Sequence, residues 1–108
     1  MNINYKDILI RNAIESDAKQ LETWWNDGSV MAHAGFPDGV HTNAERIRKQ
    51  IENYTDKKRT LIIEYKNIPI GEMNYEMSDD SECEIGIKIC ESDYQERGIG
   101  RVVLSLFI

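Results

Sequence analysis

Tyr94 to Ile108 read YQERGIGRVVLSLFI. Gly98 and Gly100 stand between Arg97 and Arg101 and open an apolar run that continues at helical spacing through Val102, Val103, Leu104, Leu106 and Phe107. A helix starting there carries unpaired N–H groups and about half a unit of positive charge at its mouth. Glycines let such a backbone come close to an anion. Arg97 and Arg101 add charge that a helix N-terminus does not need for itself. The plainer alternative is a helix that happens to begin with glycines after a turn.

Upstream of this turn the apolar period is two. TLIIEYK is read as a strand from Thr60 and Asn67-Ile68-Pro69 as a tight turn. IGEMNYEM follows as a second strand, with Met73, Tyr75 and Met77 alternating against Glu72, Asn74 and Glu76. ECEIGIKIC is a third, with Ile85, Ile87 and Ile89 on one face and Glu84, Gly86 and Lys88 on the other. Further back the period is helical. Ala18, Leu21, Trp24 and Trp25 predict a helix capped by Ser16 or Asp17 and stopped at Gly28. Thr42 and Glu45 predict a capping box for a second helix carrying Ile47, Ile51 and Tyr54. Between them, SVMAHAGFPDGVH reads as loop. Ile8 to Arg11 make a first short strand. The order is β-α-α-β-β-β-α, an α+β fold with a mostly antiparallel sheet and flanking helices.

A chain of 108 residues holds one domain, here residues 1–108, with a modest core. No apolar run approaches the roughly 18 residues of a membrane span, and MNINYKDILIRN lacks the apolar centre of a secretory signal. A cytoplasmic location is expected. Nineteen acidic against thirteen basic residues give a net charge of −6, which repels nucleic acid and favours cationic partners. Cys83 and Cys90 are seven apart, so on one strand they face opposite ways and cannot bridge. With only His33 and His41 available, both in one loop, no metal site is expected. Trp24, Trp25 and Phe36 read as packing residues.

Two rival glycine motifs do not fit. A P-loop needs Gly-Lys-Ser/Thr, whereas Gly100 is followed by Arg101 and Val102. A dinucleotide fingerprint needs a third glycine where Val103 stands. What remains is Gln95, Gly98 and Gly100 at Q-x-x-G-x-G spacing behind an antiparallel strand. This resembles the signature of the GNAT superfamily, the acetyl-CoA-dependent N-acyltransferases, whose pattern admits Arg at the first position and Ala at the last. The opening ILIRNAIESDAKQLETWWND resembles the first strand and helix of the ribosomal-protein-alanine acetyltransferase-like branch. KNIPIGEMNYEM and ECEIGIKICESDYQERGIGR resemble the later strands and the pyrophosphate loop. The likeness runs from about Ile8 to Ile108 and corresponds to the first two-thirds of such a domain, lacking its C-terminal third.

The resemblance implies that backbone amides of Gln95, Glu96, Arg97, Gly98, Ile99, Gly100 and Arg101 hold the pyrophosphate of acetyl-CoA, the co-substrate. It implies that the strand edge at Ile89 and Cys90 pairs with the pantetheine amides, one strand amide polarising the thioester carbonyl. Attack requires a neutral amine: deprotonation at pH 7 costs roughly 4–5 kcal/mol for a lysine-like amine and about 1 for an α-amine. Glu84, eleven residues before Gln95 where histone-acetylating members carry a glutamate, is the candidate base, with Glu82 and Glu72 behind it. Tyr75 and the loop Met31–His41 are candidates for lining an acceptor pocket. The acceptor is an amine-bearing small molecule or a protein N-terminus. A family tyrosine that acts as general acid has no counterpart in this sequence. Without a fifth strand the last strand exposes an edge and Val102 to Ile108 have few partners, so a second copy is a candidate cover. The alternatives are a non-catalytic CoA-binding or dimerising remnant, and an α+β interaction module whose glycine turn is merely structural.

Overall fold

The computed structural model describes residues 2–32, 35–78, 82–95 and 98–107. They fall into two compact units, Met1–Ala13 with Tyr54–Ile108, and Ile14–Asn53. The first unit is an antiparallel sheet in the order β1 (Asn2–Tyr5), β2 (Ile8–Asn12), β3 (Lys58–Tyr65), β4 (Ile68–Met77), β5 (Cys83–Ile89), followed by a helix, Ile99–Phe107. The second unit holds α1 (Ala18–Trp25), α2 (Gly28–Met31) and α3 (Ala44–Glu52), so the closing helix of the chain is α4. The architecture is α+β, as expected from the sequence.

The sheet is built from hairpins. Lys66 and Asn67 both have positive φ, 51° and 67°, the two-residue turn whose twist matches the strands it joins. Ile68 and Pro69 therefore belong to β4, not to the turn. Pro69 is accommodated because the β3–β4 register shifts between Ile63 and Glu64, a bulge that relieves one ladder bond. β1 is a strand the sequence reading did not anticipate. Its residues NINY show no amphipathic alternation, and pairing with β2 from Tyr5↔Ile8 to Asn2↔Arg11 holds it in place. One sheet face carries Ile8, Ile10, Leu61, Ile63, Met73 and Tyr75, buried in one cluster with Ile99 and Val103 of α4. Val102 and Leu106 pack partly against it. Val102, Val103 and Leu106 thus have partners, contrary to the expectation of few, and the side chains of Leu104, Phe107 and Ile108 lie outside what is described. Burying each such aliphatic side chain contributes roughly 1.5–3 kcal/mol.

In the helical unit α1 buries Ala18, Leu21 and Trp24, α3 buries Ala44 and Ile47, and the two helices pack together. α1 ends at Trp25 with Asn26 as its cap, and Gly28 begins α2 instead of stopping α1. Asp17 occupies the N-cap position of α1, but its carboxylate turns back to the Ile14 N–H at 2.8 Å. The N-cap of α3 is Asn43, whose Oδ1 accepts the Arg46 N–H at 2.9 Å, not Thr42. Thr42 is instead tied by its backbone to the Asn26 side chain, with both bonds at 2.8 Å. Phe36 remains 46% exposed and does not pack as expected.

Candidate functional site

β4 and β5 pair from Gly71↔Ile89 to Met77↔Cys83. One rung further, the Cys90 N–H donates to the Ile70 oxygen at 2.7 Å. Antiparallel rungs alternate between residues that exchange hydrogen bonds and residues that do not. That bond therefore sets the phase of the whole ladder. Glu84, Gly86 and Lys88 turn their backbone groups toward β4, whereas Ile85, Ile87 and Ile89 turn theirs outward. β5 is the last strand of the sheet, so the outward row forms an edge among the described residues. The contact behind it is close: a Cβ on Gly71 would sit 2.1 Å from the Lys88 carbonyl oxygen.

From this edge the chain runs directly into the glycine turn. A short 3-10 turn, Ser92–Tyr94, is pinned by the Tyr94 N–H on the Glu91 oxygen at 3.0 Å and by the Tyr94 ring against Tyr65, centroids 5.7 Å apart. The Gln95 side-chain amide then reaches back to the outward Ile89 carbonyl at 2.9 Å, tying the turn to the strand end. Gly98 has φ +76°, a left-handed conformation that favours glycine, and α4 begins at the next residue. The first bond of α4 runs from the Val102 N–H to the Gly98 oxygen at 3.2 Å. The N–H groups of Ile99, Gly100 and Arg101 precede it and lack partners within the helix. Among the described residues, no atom outside the neighbouring residues and the helix's own backbone lies within 4 Å of a Cβ built on Gly98 or Gly100. Ile99 is buried beneath and Arg101 exposed beside it, and the helix mouth is positively polarised backbone. Its residues fit a phosphate group.

The expected carrier residues divide accordingly. Ile89 lies on the outward row of β5, Gln95 is bonded to its carbonyl, and Gly98, Ile99, Gly100 and Arg101 form the start of α4. Glu96 and Arg97 lie outside the described residues. Cys90 is buried and its N–H is committed to β4. Its thiol is pushed up to about 12, first by burial and then by the Glu72 carboxylate, which keeps it neutral.

Glu84 is exposed on β5, directly across from Glu76 on β4. Both line a hollow of about 230 Å³ with Tyr54, Lys58, Arg59, Thr60, Asn74 and Tyr75. The Tyr54 and Thr60 hydroxyls lie 2.7 Å apart. Burial pushes the Tyr54 phenol up and Glu72 adds to this, against the pull of the Thr60 bond. Tyr75 reaches the hollow as expected, its hydroxyl donating to the Asp56 oxygen at 3.1 Å. The sequence pattern put Tyr54 on the apolar stripe of the second helix; it lies beyond α3, and nothing in the helical period marked it as a hollow-lining residue. Of the weaker candidates, Glu72 is 1% exposed with Lys88 Nζ on its Oε1 at 3.2 Å, and Glu82 is exposed. His41 belongs to the helical unit, and His33 lies outside the described residues. Among the described residues no three His, Cys, Asp or Glu side chains gather as a metal site, and no helix is long and apolar enough to cross a membrane.

An acetyltransferase (GNAT) domain model matches residues 7–108. The chain belongs to the GNAT acetyltransferase family. Its fold is similar to that of a ribosomal-protein-S5-alanine acetyltransferase from Vibrio fischeri, at 16% identity and TM-score 0.75, covering 99% of this chain and 64% of that one. It is similar to a ribosomal-protein-alanine N-acetyltransferase from Brucella melitensis, at 24% identity and TM-score 0.67, covering 89% and 62%. A ribosomal alpha-N-protein acetyltransferase solved in complex with coenzyme A is similar at 15% identity and TM-score 0.68, covering 92% and 60%. The ribosomal-protein-alanine acetyltransferase-like branch is thus represented among its structural neighbours. The chain spans less than two thirds of the length of each of these relatives.

Proposed function

We propose that this chain binds acetyl-CoA and acts in acetyl transfer to a primary amine. The observations that carry the reading are the outward row of β5, to whose last carbonyl Gln95 is bonded, and the glycine-opened N-terminus of α4 that follows it in the chain. In this reading the N–H groups of Ile99, Gly100 and Arg101 hold the pyrophosphate and the Arg101 guanidinium adds charge beside it. Gln95 holds the turn in place. Ile85, Ile87 and Ile89 offer backbone donors and acceptors to the pantetheine arm as a neighbouring strand would. Acetyl-CoA, when bound, supplies a thioester open to a neutral amine. Glu84, beside the hollow, takes the proton from that amine, directly or through water. Glu76 across from it favours a cationic acceptor, an amine-bearing small molecule or a protein N-terminus. An α-amine is the easier substrate, since its deprotonation at pH 7 costs about 1 kcal/mol. The site requires no metal, and the setting we propose is the cytoplasm.

A second reading is binding without catalysis. Calorimetry with acetyl-CoA, followed by chromatographic measurement of CoA released in the presence of peptide and polyamine acceptors, tests both. Saturable heat with CoA release supports transfer. Saturable heat without release across the acceptors leaves only binding. No heat at millimolar acetyl-CoA overturns both and leaves a structural glycine turn.

A further inference from the structure

We propose that the hollow beside Glu84 selects an aminocarboxylate acceptor, with Lys58 as the residue that recognises the carboxylate. The inference rests on the reading of this hollow as the amine site and names the acceptor chemistry that the reading leaves open. The register places Lys58 of β3 opposite Glu76 of β4, and Glu76 opposite Glu84 of β5. Residues directly opposite share a face, so the three side chains form one row across hydrogen-bonded strands, with about 9–10 Å between the backbones at its ends. The row stands on the face of the sheet and uses none of the outward backbone groups of β5. Arg59 lines the same hollow from β3. The charged lining is thus sorted by strand, with Lys58 and Arg59 on β3 and Glu76 and Glu84 on β4 and β5.

Such a lining is positive on one side and negative on the other, the complement of a zwitterion. Like charges directly across a rung oppose strand pairing, and a ligand ammonium between Glu76 and Glu84 relieves that repulsion. Among the described residues no ion pair engages Lys58, Glu76 or Glu84. Arg59, by contrast, is committed to Asp56 at 3.3 Å. Lys58 is therefore the cation available to a ligand, and its three donors suffice for Glu76 and a carboxylate together. Its backbone is fixed by a tight turn: the Thr55 N–H donates to the Lys58 oxygen at 3.1 Å and the Lys58 N–H to the Thr55 oxygen at 3.3 Å. The next rung holds Thr60, Asn74 and Gly86. A Cβ on Gly86 would lie 3.0 Å from the Asn74 Oδ1, so glycine there gives the Asn74 amide its place beside the charged row. A zwitterion laid along the row sets its ammonium at the two glutamates and its carboxylate at Lys58. A diamine of the same length meets Lys58 with like charge, and a plain amine leaves Lys58 without an anion.

The test is calorimetry of the chain, without acetyl-CoA, against three ligands of one length and similar amine basicity: β-alanine, propylamine and diaminopropane. β-Alanine should bind tighter than propylamine by about two- to fivefold, the range for an exposed ion pair, and diaminopropane should bind more weakly than β-alanine. Lys58→Met should level β-alanine with propylamine, and Lys58→Glu should reverse the order in favour of diaminopropane. Lys58 is exposed, so both variants should melt close to the parent chain. Peptides beginning Ala-Asp and Ala-Lys carry the same contrast on a protein N-terminus. A carboxylate preference in β-alanine alone assigns a free amino acid, and one in Ala-Asp alone assigns a protein N-terminus; both uphold the proposal. Equal affinity across both series overturns it, as does no measurable heat with any of these ligands, or a carboxylate preference that survives Lys58→Glu. Acetyl-CoA binding and CoA release are scored separately. Release without a carboxylate preference overturns this inference and keeps the acetyl-transfer reading, whereas absence of acetyl-CoA heat overturns that reading while the ligand order still tests Lys58.

Discussion

The substitution Gly100→Leu separates folding from ligand binding by their signs. Gly100 is the second residue of α4, and a Cβ there meets no described atom within 4 Å beyond its neighbours and the helix's own backbone. Replacing a helical glycine by a residue with strong helix preference removes a backbone-entropy cost of roughly 0.5–1 kcal/mol. For a domain of this size that corresponds to a melting temperature higher by about 2–8 °C. A helical Cβ leans toward the helix N-terminus, so the leucine side chain would overhang the N–H groups of Ile99 and Gly100. A hydrogen bond to a charged group contributes about 1.5–3 kcal/mol, so masking one raises Kd for acetyl-CoA by about 10- to 150-fold. The expected variant is therefore more stable and binds more weakly.

Differential scanning fluorimetry without ligand and calorimetry with acetyl-CoA read the two quantities independently. Gly100→Ala is the control. The family pattern admits alanine at this position, so its stability should rise while its affinity stays near that of the parent chain. If Gly100→Leu melts higher and binds acetyl-CoA within about twofold of the parent, a difference well below 1 kcal/mol, the pyrophosphate is not held at the mouth of α4. A lower melting temperature would instead show that Gly100 does not sit in open space.

Gly98→Ala places a side chain at φ +76° and should lower stability by about 1–2 kcal/mol, seen as an earlier denaturant midpoint with unchanged slope. Glu84→Gln should lower the rate of CoA release with an amine acceptor by about 10²- to 10⁴-fold, with acetyl-CoA affinity unchanged. The Cys90 thiol is held protonated to about 12 whereas an unfolded cysteine ionises near 9.0, so the unfolded chain loses its proton first and stability falls as pH rises from 9.0 toward 12. Melting curves across that window should fall more steeply for the parent than for Cys90→Ala. Asn43→Ala removes the side-chain acceptor for the Arg46 N–H and should cost about 1 kcal/mol, read by chemical denaturation.

The site was legible in the sequence where chemistry forces the residue type. The glycine turn and the helix that follows it could be read from residue types and apolar spacing, but the left-handed Gly98 and the packing of Ile99 and Val103 against the sheet could not. The alternation in β4 and β5 likewise assigned side chains to faces correctly. Alternation says which way side chains point and is silent on which backbone groups point along the sheet. That second direction depends on a single bond, Cys90 to Ile70, and it moved the open edge from Cys90 to the row Ile85, Ile87 and Ile89. β1 escaped for a related reason: NINY has no buried face of its own, and its order comes from the rungs it shares with β2. The cap of α3 passed from Thr42 to Asn43 because two good capping residues adjoin and the Asn26 side chain claims the first. In each case the missing information lay in the partner strand or side chain, not in the segment itself. Where a function depends on an unpaired edge, the decisive physical fact is therefore the phase of the ladder behind it, and a one-residue slip of β5 against β4 would present Glu84, Gly86 and Lys88 to a ligand in place of the three isoleucines.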